Sequence, residues 1–264
     1  MRLCVKLNRL GNLAKNLLFP PRCISCGELL DTRLRERVGV PLCKECRASF
    51  EHQRLRECPR CGLQMKFCRC MPTPMKRAQC LSLLKLVPYD PDSPASAGSR
   101  FIRSVKSNND SAIFTFFAEQ MRALLISEMR AESLEPEDCV IAYLPRSYKN
   151  LAENGFDQSK KLATELSRIT GIPTVSIFKR KLHAKKQKEL TRVERRLNME
   201  SAYAGHDVGD ILRGKVVILV DDIVTTGSSM ASCARIATSL GAYAVFGVCI
   251  GVTEKNSKNK QIKH

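Results

Sequence analysis

The segment that decides the fold is KVVILVDDIVTTGSSM, residues 215–230. A β-branched apolar run ends in Asp221 and Asp222, and a short turn rich in hydroxyl groups leads into a helical pattern over residues 231–240. We predict a buried strand, an anion-binding loop and a helix, in that order. An ordinary strand followed by a capped helix would need one cap residue, not paired carboxylates and five polar or glycine loop residues.

Each part of this segment has a chemical use. A helix N-terminus leaves backbone N–H groups unpaired and carries partial positive charge, so a phosphate can bind there if Gly227 lets the backbone approach. The turn also supplies hydroxyl donors for the phosphate, those of Thr225, Thr226, Ser228 and Ser229. Asp221 and Asp222 repel phosphate oxygens, so we expect them to accept from sugar hydroxyls or to hold a divalent cation. The pattern predicts a ligand with a phosphate beside a ribose diol.

At these residues the chain resembles the phosphoribosyltransferase signature, in which two acidic residues precede a loop that cradles the 5-phosphate of phosphoribosyl pyrophosphate. The segment lacks the Gly-x4-Gly-Lys-Ser/Thr of a Walker A loop and the Gly-x-Gly-x2-Gly of dinucleotide folds. The resemblance implies phosphoribosyl pyrophosphate, or another phosphoribosyl ligand, bound together with Mg²⁺.

The composition points to a polyanionic partner. The chain has 264 residues, enough for one α/β domain and a smaller module, and its formal net charge is +18. Such a charge favours nucleic acid, an anionic membrane surface or a phosphorylated substrate. Basic residues that only solvated a surface would be evenly spread, whereas here they cluster.

Thirteen cysteines raise the question of metal or disulfides. Eight of them form C-x2-C or C-x-C pairs, and no secretory signal precedes them in this sequence, which favours metal in a reducing cytoplasm. Two C-x2-C pairs complete a tetrahedral sulfur site that suits Zn²⁺. The simplest assignment is one site at Cys23, Cys26, Cys43 and Cys46 and another at Cys58, Cys61, Cys68 and Cys70. One or two ions, and interleaved ligation, remain open.

Four regions are expected along the chain. Residues 1–20 read as a basic amphipathic helix, which docks on the protein's own core or contacts the inner face of a membrane. Residues 21–72 form the double zinc ribbon, 78–252 the α/β domain and 253–264 a disordered basic tail. Residues 71–76, with two prolines, read as a linker.

Strand and helix patterns alternate through the larger region. Strands are predicted at Leu81–Val87, Cys139–Leu144, Thr174–Phe178 and Tyr243–Val252. Helices are predicted at Arg100–Lys106, Ser111–Ser133 with Asp110 as its cap, and Asp157–Thr170. This alternation implies a parallel sheet flanked by helices, with ligand loops gathered at the carboxyl ends of the strands.

Two basic stretches have open roles. Arg100, Arg103 and Lys106 share one helix face, which either faces phosphate or is solvated. Residues 179–198 are strongly basic and carry no apolar period. They form either a solvated mobile loop or one that closes over a pyrophosphate and excludes water.

Five features of the chain belong together: the cysteine pairs, the Leu144-Pro145-Arg146 turn, the run at residues 155–158, the basic segment at residues 190–198 and the loop at residues 220–229. In these features the chain resembles the ComF/ComFC (GntX-like) family. The likeness covers about residues 20–252. It implies a cytosolic double zinc ribbon joined to a type I phosphoribosyltransferase-like domain. The role attached to the family is the handling of single-stranded DNA during natural transformation, which implies competence-machinery partners.

The resemblance also implies roles for residues. Asp221 and Asp222 become ribose or metal contacts, and residues 225–229 the 5-phosphate loop. Pyrophosphate or nucleic-acid contacts fall on Arg146, Lys188, Arg192, Arg195 and Asn198. The family usually has Arg-Gly-Phe-Asn-Gln where this chain has Asn-Gly-Phe-Asp-Gln at residues 154–158. Thr225 stands where purine phosphoribosyltransferases place a base-activating Asp, which argues against purine chemistry.

Two hypotheses about function follow. The first is a protein that binds single-stranded DNA, phosphoribosyl pyrophosphate or both during DNA uptake. The alternative is a Mg²⁺-dependent phosphoribosyltransferase whose acceptor base the sequence does not reveal.

Overall fold

The computed structural model describes residues 20–30, 40–181, 202–206 and 208–253. Three predictions therefore lie outside the described residues: the amino-terminal helix, the basic tail beyond residue 253, and the roles of Lys188, Arg192, Arg195 and Asn198.

The described residues form strands and helices in alternation. The strands are Ser82–Tyr89 (β1), Cys139–Tyr143 (β2), Phe178–Arg180 (β3), Tyr203–Gly205 (β4), Val216–Val224 (β5) and Ala244–Thr253 (β6). The helices are Lys44–Leu55 (α1), Thr73–Arg77 (α2), Ala97–Ser107 (α3), Ser111–Ala131 (α4), Tyr148–Asn154 (α5), Gln158–Thr170 (α6) and Ser228–Ser239 (α7). Two short 3₁₀ turns, Pro136–Asp138 and Gly209–Leu212, precede β2 and β5.

The main sheet is parallel and has the strand order β1-β6-β5-β2. Parallel neighbours need long crossovers, and helices supply them here: α5 and α6 lie between the neighbours β2 and β5 in the chain, and α7 lies between the neighbours β5 and β6. The predicted parallel sheet flanked by helices is confirmed. A separate antiparallel pair, β3 with β4, stands beside it.

Apolar side chains cover both faces of the sheet. On one face, α1, α3, α4 and α6 pack against strand residues such as Ile218 and Val248. Phe50 of α1 contacts Phe101, Phe116 and Phe117, with ring centroids 5.2 to 6.2 Å apart. On the other face, α2 and α7 pack against alternate residues of the same strands. Helix α1, which follows Cys43, therefore shares the core of the sheet.

Capping residues explain where two long helices begin and end. The Asp110 carboxylate accepts from the backbone N–H of Ala112 at 3.0 Å, so α4 begins where the sequence predicts. Asp157 caps α6 in the same way by accepting from Lys160 at 3.0 Å. Gly171 ends α6 with a φ of 79°, a left-handed conformation that glycine adopts without steric cost.

The prediction of a strand at Thr174–Phe178 is wrong. Thr174 forms a single parallel bridge with Ile141 of β2, fixed by hydrogen bonds from Ile141 N to Pro173 O and from Val175 N to Ile141 O, both 2.8 Å. The chain then leaves the main sheet, and Phe178 begins β3, which pairs with β4. An apolar run predicts extended backbone but does not identify its partner strand.

The linker predicted at residues 71–76 is also wrong. Thr73–Arg77 is helix α2, which begins after Pro72 and carries Pro74 in its first turn. Proline is tolerated there because the first-turn N–H groups have no intrahelical partner. Met75 of α2 is fully buried against the sheet, so this short helix belongs to the core.

Candidate functional site

A cavity of about 470 Å³ opens at the carboxyl ends of the four parallel strands. Each strand contributes residues at or just beyond its end, as expected for ligand sites in parallel α/β sheets. These residues are Tyr89 and Pro91 from β1, Leu144, Pro145 and Arg146 from β2, Asp221, Asp222, Ile223 and Thr225 from β5, and Thr253 from β6. The sequence-predicted carboxylates and Arg146 therefore face one space.

Asp222 is the most buried polar group of the cavity, with 2% of its surface exposed. One carboxylate oxygen, Oδ1, pairs closely with the Arg146 guanidinium and accepts from the backbone N–H of Ile223 at 2.8 Å. The other oxygen, Oδ2, and Nε of Arg146 have no hydrogen-bond partner among the described residues. Buried polar groups are rarely left unsatisfied, so these two atoms indicate room for a ligand group.

Asp221 is half-buried and is held in place by Ser159 of α6, whose hydroxyl donates to Oδ1 at 2.8 Å. The backbone N–H of Asp222 donates to the same oxygen at 2.9 Å. Burial, and then the neighbouring Asp222 carboxylate, raise the pKa of Asp221 to about 7. A cation placed between the two carboxylates would relieve this repulsion.

The turn that carries Arg146 depends on Asp157. The Asp157 carboxylate accepts from the backbone N–H of Arg146 at 3.0 Å while it also caps α6. The negative charge of Asp157 therefore lies beside the turn of Arg146 and the first amides of α6. That position suits a carboxylate because of the helix dipole.

The predicted phosphate loop lies at the N-terminus of α7, next to the cavity. Thr225 and Ser229 line the cavity. Thr226 is exposed, and its hydroxyl lies 3.1 Å from that of Ser228. Gly227 is the N-cap of α7 with a φ of 74° and is buried against Pro72 and Met75. Gly227 gives the first turn of α7 no side-chain cap, and the Thr226 hydroxyl accepts from the backbone N–H of Ser228 at 3.4 Å.

The sequence analysis did not single out Tyr203 of β4. This residue lines the cavity together with Arg180 of β3 and Lys106 at the end of α3, which both belong to the basic stretches whose roles the sequence left open. The Arg180 guanidinium donates to the Tyr203 hydroxyl at 3.2 Å and lies 5.3 Å from the ring centroid. Only the antiparallel pairing of β3 with β4 brings the two side chains together, and no local motif signals it.

The side chains of Arg100 and Arg103, which share a helix face with Lys106, do not line the cavity. Arg100 donates to the carbonyl of Ala95 at 2.5 Å, and Arg103 donates to that of Pro94. Both side chains hold the loop before α3. Of the three basic residues that share this helix face, Lys106 alone lines the cavity.

The eight paired cysteines come together in two sets of four. In each set the sulfur atoms lie within 4.8 Å of one another. The sets are Cys23, Cys26, Cys43 and Cys46, and Cys58, Cys61, Cys68 and Cys70. These are the two groups given by the simplest reading of the sequence.

The two sets share one local structure. The backbone N–H of Gly27 donates to Cys23 O at 2.9 Å, and that of Gly62 donates to Cys58 O at the same distance. Within the sets, the sulfurs of Cys26 and Cys43 lie 3.7 Å apart, and those of Cys61 and Cys68 lie 3.6 Å apart. Tetrahedral zinc with Zn–S distances of about 2.3 Å places sulfurs about 3.8 Å apart. The four thiols of each set therefore fit a Zn²⁺ ion.

Comparison with known proteins bears on this combination of cysteine sets and cavity. No protein-family model matches the chain. Among curated proteins it is similar to Competence protein F of Haemophilus influenzae, with 26% identity over 148 residues, which make up 56% of this chain and 64% of that protein. It is also similar to the DNA utilization protein YhgH of Salmonella typhimurium, with 26% identity over 217 residues, 79% of this chain and 89% of that protein.

The chain therefore has homologues named Competence protein F and DNA utilization protein YhgH, in agreement with the resemblance predicted from its sequence motifs. The aligned part spans less than two thirds of the Haemophilus protein, at 64% of its length. Among solved structures, the chain is similar to a purine phosphoribosyltransferase from Pyrococcus horikoshii, with a TM-score of 0.31 and 19% identity; the match covers 51% of this chain and 71% of that chain.

The predicted contacts for phosphate, ribose, pyrophosphate and nucleic acid thus fall into three groups. Asp221, Asp222, Arg146, Thr225 and Ser229 line the cavity. Thr226, Gly227 and Ser228 form the adjoining turn. The four predicted contacts between residues 188 and 198 lie outside the described residues. No helix within the described part of the chain is long and apolar enough to cross a bilayer.

Proposed function

We propose that this chain binds a sugar-phosphate in the cavity, either the phosphoribosyl group of phosphoribosyl pyrophosphate or the deoxyribose phosphate of single-stranded DNA, and serves DNA uptake. One observation carries this proposal: two carboxylates, an arginine and the hydroxyl-lined start of a helix face the same space at the edge of the sheet. A phosphate and a ribose need these two kinds of partner side by side.

The phosphate is assigned to the start of α7. Its first-turn amides, with the hydroxyls of Thr225 and Ser229, offer donors to a dianion, and the helix dipole favours negative charge there. Helix α7 is 12 residues long and is packed against the sheet, so these donors are fixed before the ligand arrives. Fixed donors reduce the entropic cost of binding.

The ribose and the cation are assigned to Asp221 and Asp222. Carboxylate oxygens suit both ribose hydroxyls and Mg²⁺, and Oδ2 of Asp222 is free of a hydrogen-bond partner among the described residues. A Mg²⁺ ion that accompanies phosphoribosyl pyrophosphate would supply charge neutralisation on the pyrophosphate. Arg146 is the nearest described cation to these carboxylates and is placed to bind an incoming anion beside them.

A role with single-stranded DNA is supported by charge and by relatives. The net charge of +18 favours a polyanion, and the names of the relatives refer to competence and to DNA utilization. Arg180, Lys106 and Arg146 add cations to the cavity walls. Contacts of this kind read the sugar-phosphate backbone, so we expect weak sequence preference.

The phosphate assignment is tested with a matched pair of variants at the two ends of α7. Ser229→Ala removes a hydroxyl that lines the cavity, whereas Ser239→Ala removes one that donates to Ile236 O at 2.8 Å, at the far end of the helix. Titration calorimetry with phosphoribosyl pyrophosphate and Mg²⁺ should show binding weakened about tenfold or more for the first variant only. No heat from the wild-type protein would remove phosphoribosyl pyrophosphate from the proposal.

The DNA assignment is tested by salt. Binding of a labelled single strand, measured by filter retention, should weaken steeply between about 50 and 300 mM salt because counterions are released from the DNA backbone. A flat response would argue against backbone contacts. Strands of different sequence should bind with similar affinity.

The second candidate is a phosphoribosyltransferase. In this reaction the bond between C1′ and the pyrophosphate oxygen breaks, an acceptor nitrogen bonds to C1′, and pyrophosphate leaves with the electron pair. Lys106 and Arg180, which also line the cavity, are cations that could balance that charge. Pyrophosphate release from phosphoribosyl pyrophosphate in the presence of an acceptor would establish transfer. Binding without release would leave the binding role alone.

A further inference from the structure

Lys85 is a buried lysine in the middle of β1. Only 2% of its surface is exposed, and its neighbours Leu84 and Leu86 are fully buried. Lysines are almost never buried without a partner, because removing an ammonium group from water is costly. The position therefore needs a specific explanation, and the proposed cavity does not supply one because Lys85 does not line it.

The ammonium group of Lys85 binds the second cysteine set. Its Nζ donates to the carbonyl oxygens of Cys68 at 2.9 Å and Cys70 at 2.8 Å, and to that of Leu83 at 3.2 Å. An ammonium has three N–H donors, so all three are used. Two of the three acceptors belong to cysteines that fit a Zn²⁺ ion, and the lysine joins that segment to the central sheet.

These carbonyls leave the charge of Lys85 uncompensated. No carboxylate of the described residues forms an ion pair with Nζ within 4.0 Å. In the sheet register, Lys85 lies beside Cys249, and Asp221 lies one strand further, about 10 Å away for two strand spacings. Four thiolates around a Zn²⁺ ion carry a net charge of about −2. Two of the four cysteines of this set, Cys68 and Cys70, belong to the segment that Lys85 holds.

We propose that Lys85 is the positioning and charge-balancing residue of the second cysteine site. It fixes the backbone on both sides of Arg69, so that the C-x-C pair presents Cys68 and Cys70 to one ion despite having a single residue between them. It also places a positive charge next to an anionic metal centre inside the core. Hydrogen bonds around metal ligands commonly set metal affinity in this way.

The test measures zinc affinity of the full-length protein by competition with a chromogenic chelator. Lys85→Met removes the charge and the three donors while keeping an unbranched apolar side chain. Arg60→Met is the matched control: it removes a charge between Cys58 and Cys61, from an exposed arginine that donates to Met71 O at 3.2 Å. A Cys61→Ser variant identifies which of the two measured affinities belongs to the second site.

Lys85→Met should weaken the second site about 10- to 100-fold and leave the first unchanged, while Arg60→Met changes neither by more than about threefold. Lys85→Gln, which keeps two donors without the charge, should weaken the second site by an intermediate factor, and this variant carries the test if the methionine variant does not fold. Unchanged affinity in both Lys85 variants overturns the proposal. So do equal weakening of both sites, an equal effect of Arg60→Met, and a wild-type protein that binds no zinc.

Discussion

The Gly227 position tests whether the start of α7 is built as the structure shows. Gly227 has a φ of 74°, and a Cβ atom added there would lie 2.9 Å from Pro72 Cβ and 3.1 Å from Met75 Cγ. Both distances are shorter than ordinary contacts between carbon atoms. Gly227→Ala therefore faces two penalties: one from the left-handed backbone and one from collision with the segment before and within α2.

The variant Gly171→Ala separates the penalty of the left-handed backbone from the penalty of the collision. Gly171 has a φ of 79°, and nothing lies within 4 Å of an added Cβ. A non-glycine residue in the left-handed region costs about 1–2 kcal/mol, and the lower entropy of the unfolded chain offsets about 0.4–1 kcal/mol of this. We expect Gly171→Ala to lower the free energy of unfolding by about 1 kcal/mol. Overpacking adds about 1–3 kcal/mol, so Gly227→Ala should lower it by about 3 kcal/mol.

Urea unfolding of zinc-loaded protein measures both variants. The chain has no tryptophan, so far-UV circular dichroism is the suitable signal. Gly227→Ala should be less stable than Gly171→Ala by at least about 1 kcal/mol. Equal losses in the two variants would refute the close packing of the loop against Pro72.

Two further predictions concern the charged groups of the cavity. Because burial and Asp222 raise the pKa of Asp221 to about 7, the folded protein keeps a proton that the unfolded chain has lost between about pH 4 and pH 7. The free energy of unfolding of the wild type, relative to that of Asp221→Asn, should therefore fall as the pH rises through this range. If urea unfolding shows that the difference between the two proteins does not change with pH, the raised pKa is contradicted. Arg146→Met leaves Asp222 buried without its cation and should lower the free energy of unfolding by about 3–5 kcal/mol. The control Lys149→Met breaks an exposed pair with Glu153 and should lower it by less than about 1 kcal/mol in the same assay. Equal effects of the two variants would exclude a stabilising Arg146–Asp222 pair.

Local chemistry made part of the molecule predictable from its sequence. The carboxylates of β5 and the hydroxyls of the following turn are adjacent in the chain, and C-x2-C pairs impose their own turn geometry. The caps Asp110 and Asp157 also act within three residues of their own position. In each case the interacting groups are neighbours in the sequence, so the pattern and the structure carry the same information.

The rest depends on contacts between distant residues. Arg180 meets Tyr203 only because β3 pairs with β4, and Ser159 reaches Asp221 only because α6 packs behind the sheet. Lys85 did have a local signal, a single charge inside the apolar run LSLLKLV. That signal indicates a buried partner, but the partner lies 15 to 17 residues earlier in the chain. Prolines at positions 72 and 74 indicated a linker because a helix start and a loop share that signature.

The most direct measurement of the central claim is a competition experiment. A labelled single strand is bound to the wild-type protein, and phosphoribosyl pyrophosphate with Mg²⁺ is added while fluorescence anisotropy is recorded. If both ligands use the cavity, phosphoribosyl pyrophosphate displaces the strand, and a variant with Asp221→Ala and Asp222→Ala binds neither. A strand that stays bound at saturating phosphoribosyl pyrophosphate, or a double variant that binds both ligands normally, would contradict a shared sugar-phosphate site.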